Sequence, residues 1–389
     1  MTQPVQPITA GPGFHWFGYY DKLQFSADGR YALGMEVDFE HRSPTPDDWV
    51  RLGMIDLAGG NEWIELGTTN AWCWQQGCML QWRPGSETEV VWNARLEGRL
   101  VCHVLDVETG NQRILPQPVY AISPDGRTAL GIDFLRTGRL RPGYGYAGED
   151  TTRDTLAPED SGIYRLDLQT GRSEPILSIA EVAAIPYAHF DTAEREHYFN
   201  HVLFSPDGSR FIFLHRSVAL DGDSGWDRRT RMFTAGPDGG GLRMIDEYGG
   251  MSHFIWRDAG HILGWANRPS AGRAFYLYDE ADPDEPEAVG TDVMTADGHC
   301  TYLPGGEWIV NDAYPSAEDG RLQQVYLYHP GEGRRVDLAE LPAAAEYAGE
   351  WRCDLHPRHT RDGRRVCVDS PHAGNGRQMY LIDVAEIVG

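Results

Sequence analysis

Four histidines recur at one position of a repeated sequence pattern. Counting back seven residues from the turn glycine of successive hairpins gives His201 (from Gly208), His253 (from Gly260), His299 (from Gly306) and His356 (from Gly363). The segments read NHVLFSPDG, SHFIWRDAG, GHCTYLPGG and LHPRHTRDG. With 14 histidines in the chain, four in one register is more than scatter. Neutral imidazole is the commonest metal ligand and also a general base near neutral pH. Around His356 the run WRCDLHPRH, residues 351–359, adds Cys353 and Asp354, two further donors of the kind that hold divalent metals. His359 falls in register with Phe204, Trp256 and Tyr302 and is expected to pack inward.

The elements that must position these histidines are short strands. An apolar run, a Pro-Asp-Gly-like turn and a second apolar run recur at 23–37, 80–94, 121–134, 202–215, 254–266, 301–313 and 358–370. Each reads as a tight antiparallel hairpin. An alternating third strand follows each, at 51–60, 100–110, 162–171, 231–240, 274–283, 324–333 and 378–387. Irregular units of this kind predict an all-β fold, a seven-bladed β-propeller forming one domain over 1–389. The last blade has little chain left for a fourth strand. The segment GFHWFGYY (13–20) is expected to close it, with HWFGYYDK (15–22) presenting a hydrophobic face. Helical signals are weak, and 338–347 is the best candidate. The insertions 136–160 and 217–230 are expected to be exposed loops or to rim a site.

In such a propeller the histidine position starts the innermost strand, which lines the central channel. The second strand of each hairpin returns to the same face. Its ends carry Arg95, Arg136, Arg216 and Arg268, so one face is expected to gather arginines beside the histidines. Guanidinium pairs carboxylates bidentately, which points to an anionic ligand.

The formal net charge of −24 argues against nucleic-acid or anionic-membrane binding but leaves room for a local basic site. There is no apolar stretch long enough for a membrane span. The first residues, MTQPVQPITAGPG, show no export-signal pattern, so a cytoplasmic location is expected, with six cysteines as thiols or ligands. Cys73, Cys78, Cys102 and Cys367 lie in apolar strand patterns and read as core; Cys300 reads as a buried thiol. A monomer or weak homodimer is expected. A peptidase propeller would need a nucleophile motif, and no Gly-x-Ser-x-Gly is present.

The segments NHVLFSPDG…HR, SHFIW, DGHCTY and RCDLHPRH resemble the propeller polysaccharide lyases, in particular the oligogalacturonate lyase and ulvan lyase groups, with TolB-like blades. In oligogalacturonate lyase, channel histidines at these blade starts hold a divalent metal and one acts near it as the base. By position, the resemblance implies His253, His299 and His356 as ligands. The family's Gln-x-x-His-Pro-His-like stretch here lacks its Gln, so Cys353 or Asp354 must substitute. A His and Cys set suits zinc better than manganese or calcium. The Arg of the ulvan lyases matches Arg216, while their His and Tyr positions fall on Gln76, Asn93 and Asn200.

The expected activity is therefore β-elimination on a uronate-containing oligosaccharide. Arg216 with Asn93 or Gln76 would hold the carboxylate, and His201 would act as base. Tyr198, Tyr144 or Tyr146 would be the acid; Arg95, Tyr146 and Arg268 would bind substrate. Loss of the ulvan-type His and Tyr favours an alternative, a noncatalytic glycan- or protein-binding propeller with a structural metal. A different reaction on a uronoside at the same metal is a third reading.

Overall fold

The computed structural model describes residues 3–219, 227–316 and 320–389. Its strands form seven four-stranded antiparallel sheets, the blades of the expected propeller. Blade 4 shows the pattern in full: Arg195–Phe204 is innermost, followed by Phe211–Ala219, Arg228–Ala235 and Arg243–Gly249. The insertion expected at 217–230 thus splits between two strands, and its residues 220–226 lie outside the described residues.

The hairpins form for a local reason. In the SPDG turn of blade 4, Ser205 Oγ donates to Asp207 Oδ1 (2.7 Å), and the same oxygen accepts from Ser209 N (3.0 Å). Gly208 follows at φ 73°, a left-handed conformation that glycine adopts without penalty. Ser123 and Asp125 repeat this turn in blade 3, and Ser26 and Asp28 repeat it in blade 1. Between blades, faces of alternating apolar residues pack together, as with Phe204, Phe211, Phe213 and Phe233 beside blade 3.

The ring closes differently from expectation. Val5–Pro7, not 13–20, is the outer strand of blade 7, pairing Val5 with Ile382 and Pro7 with Tyr380. Phe14–Trp16 is instead the innermost strand of blade 1, with Phe14 opposite Val37. The chain leaves that strand after Trp16 and returns at Phe25, which bridges Ala32. The excursion between them fills the channel. Its start is tied to blade 7, where Asp369 Oδ2 accepts from Phe17 N (3.2 Å) and Gly18 N (3.3 Å). Further along, the Tyr20 hydroxyl donates to Phe254 O in blade 5 (2.8 Å). The aromatic run that suggested a hydrophobic strand face is thus a channel plug.

Residues 338–347 hold no helix. Arg334–Pro342 is the outer strand of blade 6, paired with Leu322–His329, so sheet pairing overrides the alanine-rich propensity. One helix does matter for the site. Phe134–Leu140 is capped by Asp133, whose carboxylate accepts from Leu135 N and Arg136 N. It opens the 136–160 insertion and directs Arg141 and Tyr144 inward over the channel. Among the described residues no helix is long and apolar enough to cross a membrane.

Candidate metal centre and anion-binding cavity

Three of the four register histidines stand together at one mouth of the channel. The ring centroids of His253 and His299 are 4.2 Å apart, and those of His299 and His356 are 4.1 Å apart. Two carboxylates fix their orientation. Asp312, at the end of the second strand of blade 6, meets His299 Nδ1 at 3.0 Å and accepts from His299 N and His356 N. Asp297 Oδ1 lies 2.9 Å from His253 Nδ1. A carboxylate on Nδ1 holds the proton there and leaves Nε2 as an outward lone pair. Both Nε2 atoms point toward the Tyr314 hydroxyl, at 3.3 Å for His299 and 3.5 Å for His253. Burial would raise the carboxyls of Asp297 and Asp312, but the neighbouring histidines hold both below the usual range.

The residues that could hold a metal are His299, Asp354 and His356. One ligand atom from each lies within 4.8 Å of the others, and all three residues are buried. His356 Nε2 has no hydrogen-bond partner, and Asp354 Oδ2 is met only by the Arg352 guanidinium. Buried polar atoms normally find partners, so an orphaned imidazole nitrogen 3.9 Å from a carboxylate oxygen fits a shared cation. Arg352 Nε approaches Asp354 Oδ2 at 2.8 Å and steadies that carboxylate. His356 also sits at φ 43°, in the left-handed region, as does His201 (φ 52°) at the same register position.

Cys353 does not belong to this group, although its neighbour Asp354 does. Cys353 is buried, and burial raises its thiol well above the usual range. The donor set is therefore imidazole and carboxylate, without a thiolate, and the argument for zinc over manganese loses its ground. His253 was expected as a ligand with His299 and His356. It stands beside them, but its Nδ1 is held by Asp297 and it lies outside the three-residue group.

Above the histidines opens a cavity of about 1240 Å³ whose wall includes His253, Asp297, Tyr144 and Tyr314. Six arginines line it: Arg141, Arg216, Arg228, Arg229, Arg273 and Arg352. Arg216 is where sequence placed it. Its Nε donates to Asn200 Oδ1 (2.8 Å) and its Nη1 to Thr230 Oγ1 (3.1 Å). Burial, together with Arg141 and Arg228, pulls its pKa down to about 9. Tyr144 is the opposite case: burial alone would raise its hydroxyl, yet Arg352 and Arg141 bring it down to about 8. Tyr144 was one of three acid candidates, and it is the one on the cavity wall.

The remaining expected site residues have structural duties. His201, expected as the base, is 1% exposed, stacked on Phe254 and covered by Tyr19 and Tyr20. Its Nε2 faces the buried Asp21 at 3.4 Å, and it is absent from the cavity wall. Tyr198 is fully buried between Leu140 and Val218. Asn93 staples blades 2 and 3: its amide donates to Val119 O and Tyr146 OH (both 2.8 Å) and its oxygen accepts from Val119 N. Tyr146 is stacked on Phe134, and Gln76 donates to Tyr120 OH (2.7 Å). Arg95 donates to the carbonyls of Asn70 and Ala147, and Arg268 pairs with Asp246 (3.1 Å). Arg136 serves the loop carbonyls of Thr152, Thr155 and Leu156. Of four arginines expected on this face, only Arg216 reaches the cavity.

Sequence reasoning did not single out Asp297, Arg141, Arg228 and Arg352 as site residues. Arg141 and Arg228 fall at the edges of the two long insertions, which was the available signal. Arg352 lies inside the WRCDLHPRH run, next to residues that drew attention for their metal affinity.

No family model matches the sequence, and no curated protein matches it. Solved structures do. The chain is similar to oligogalacturonate lyase from Vibrio parahaemolyticus, with a TM-score of 0.69 and 16% identity over 99% of this chain and 96% of that one. It is equally similar to an oligogalacturonate lyase in complex with manganese, with a TM-score of 0.69 and 16% identity, covering 98% and 93%. The β-propeller domain of the Trilobed protease from Pyrococcus furiosus follows at a TM-score of 0.52 and 11% identity, covering 95% and 96%. The likeness is one of fold, and it extends over the whole of these propellers.

Proposed function

We propose that this protein is a metal-dependent lyase that cleaves uronate-containing oligosaccharides by β-elimination. The observation that carries the proposal is a juxtaposition. A His–Asp pair and a cluster of arginines line one cavity of an otherwise strongly acidic protein, and a buried His–Asp–His donor set adjoins that cavity behind His253 and Tyr314. The fold shared with oligogalacturonate lyases supports the same class.

The residues divide the work as follows. Arg216 receives the uronate carboxylate, and neutralising it makes the C5 proton acidic. His299, Asp354 and His356 would hold a metal, a first-row divalent ion suited to nitrogen and oxygen donors, and an oligogalacturonate lyase of similar fold is in complex with manganese. When bound, it would supply Lewis-acid stabilisation of developing negative charge. His253, oriented by Asp297, takes the C5 proton on Nε2. The C5–H electron pair becomes the C4=C5 double bond, the C4–O4 bond breaks, and O4 takes the proton of Tyr144. Exchange with solvent restores both groups. The substrate is an anionic oligosaccharide, and its acid groups answer the cavity's charge.

A panel of uronate oligosaccharides, followed by the ultraviolet absorbance of the unsaturated product, tests this reading. Absorbance should rise with the metal-loaded protein and stay flat after chelation. Tight glycan binding with no product from any uronate would instead make this a binding propeller.

A further inference from the structure

The channel plug and the metal centre share one buried ion pair. Arg358, within the WRCDLHPRH run, is 1% exposed and meets Asp369 at 2.7 Å. Its guanidinium joins two structures. On one side Nη1 donates to the backbone carbonyls of His356 and Leu355. On the other, Nε donates to Gln24 Oε1 (3.1 Å) and Nη2 to Asp369 Oδ1 (2.7 Å). The second Asp369 oxygen accepts from Phe17 N and Gly18 N, where the excursion begins, and Gln24 lies where it ends. Both ends of the plug and the main chain of one candidate ligand thus converge on a single guanidinium–carboxylate pair. The N–H of His356 is held separately, by Asp312 Oδ2 at 3.1 Å. Between its anchored ends the plug sets Tyr19 edge-on to His356, with ring centroids 5.2 Å apart, and Tyr20 against His299 at 5.3 Å. Aromatic rings at such separations fix one another's orientation.

We infer that Arg358 and Asp369 are positioning residues for the metal centre, clamping the His356 main chain to the plug so that His356 and His299 keep the orientation that binds a divalent cation. The inference rests on the metal site of the reading proposed above, and not on its reaction. The shape of the guanidinium matters more than its charge. A planar fork reaches Gln24, Leu355, His356 and Asp369 in fixed directions, whereas a lysine ammonium offers its donors from one point. The Asp369 carboxylate accepts on both oxygens, and an amide in its place must turn its NH₂ toward one of the two donor sets. Outer partners of metal ligands contribute about 10–100-fold to metal affinity.

Titration of the metal-free protein with manganese chloride tests this, in the parent and in Arg358→Lys, Asp369→Asn and Arg136→Lys. Arg136 is the control, an equally buried guanidinium whose partners include the carbonyls of Thr152, Thr155 and Leu156 and no part of the plug. Arg358→Lys and Asp369→Asn should weaken manganese binding about 10–100-fold. Arg136→Lys should lower the thermal midpoint and leave the manganese Kd within about threefold of the parent's. A Kd in Arg358→Lys within that same margin overturns the inference. So does an equal loss in Arg136→Lys, which would trace the effect to stability alone. The parent protein gives a second readout that stands whether or not the variants fold. If the clamp favours metal binding, bound metal must in turn favour the clamp. Amide hydrogen exchange over residues 17–24 should therefore slow at least about threefold when manganese is bound, and unchanged exchange overturns the inference. A parent that binds no manganese overturns this inference together with the metal site. A parent that binds manganese and cleaves no uronate overturns the proposed reaction alone.

Discussion

His253 separates two accounts of the channel histidines, because a base and a metal ligand fail in different ways. If His253 is the base, His253→Ala removes proton transfer but leaves His299, Asp354 and His356 to hold the ion. General-base catalysis contributes about 10²–10⁴-fold, equivalent to about 2.7–5.4 kcal/mol. Turnover should fall by that factor at unchanged metal content. Asp297→Asn is the finer perturbation. The carboxylate at 2.9 Å keeps the proton on Nδ1; an amide can donate to Nδ1 instead and force the proton onto Nε2, the atom that must accept. A hydrogen bond to a charged group is worth about 1.5–3 kcal/mol, so the loss should be about 10–150-fold in kcat. Initial rates from product absorbance, with metal content measured by elemental analysis on the same samples, give both readouts. The reasoning fails if His253→Ala loses its metal together with its activity, which would make His253 a ligand. It fails equally if Asp297→Asn keeps more than half the parental rate.

Three further outcomes follow from the same geometry. His356→Ala should lose the bound metal and lower the thermal midpoint, and added metal should no longer raise that midpoint; retention of a full equivalent would place the ion elsewhere. Because Tyr144 is brought down to about 8 and must donate a proton, the rate should fall above about pH 8, not near 10. Tyr144→Phe should be slow and lack that limb; an unchanged alkaline limb would exonerate Tyr144. Finally, His197 and His215 form a buried neutral pair at 2.8 Å. Burial takes His197 down to about 4 and His215 well below 6.5. The unfolded chain thus binds protons below pH 6.5 that the folded protein refuses, so stability is complete above pH 6.5 and is lost as pH falls toward 4. The slope should approach about 1.4 kcal/mol per pH unit per histidine, read from urea midpoints of the metal-free protein. A flat profile across that window would contradict it.

The propeller was legible because its signals are local and repeated. Each Ser-x-Asp-Gly turn makes the same side-chain bonds, and each strand alternates over a few residues, so period and punctuation agree. The histidine register carried over for the same reason, and His253, His299 and His356 stand together as the alignment placed them. What failed depends on contacts across the ring. His201 occupies the same register, but the excursion through Tyr19 and Tyr20 covers it, and no repeat encodes that excursion. Asn93 and Arg95 lie at the expected strand end, yet alternation cannot tell a cavity wall from a joint between blades. Arg141, Arg228 and Asp297 come from segments without register, where sequence spacing says nothing about direction. Cys353 looked like a ligand by type, but spacing alone could not tell it from its neighbour Asp354, which is the one grouped with His299 and His356.

The central claim is elimination, and the fate of water's oxygen tests it most directly. Cleavage of a uronate oligosaccharide in heavy-oxygen water, read by mass spectrometry, should give two products whose masses sum to that of the substrate. Neither should carry the heavy label at the cleaved bond, and one should hold the new double bond. Products that together gain one molecule of water, with the label incorporated, would make the protein a hydrolase and contradict the account.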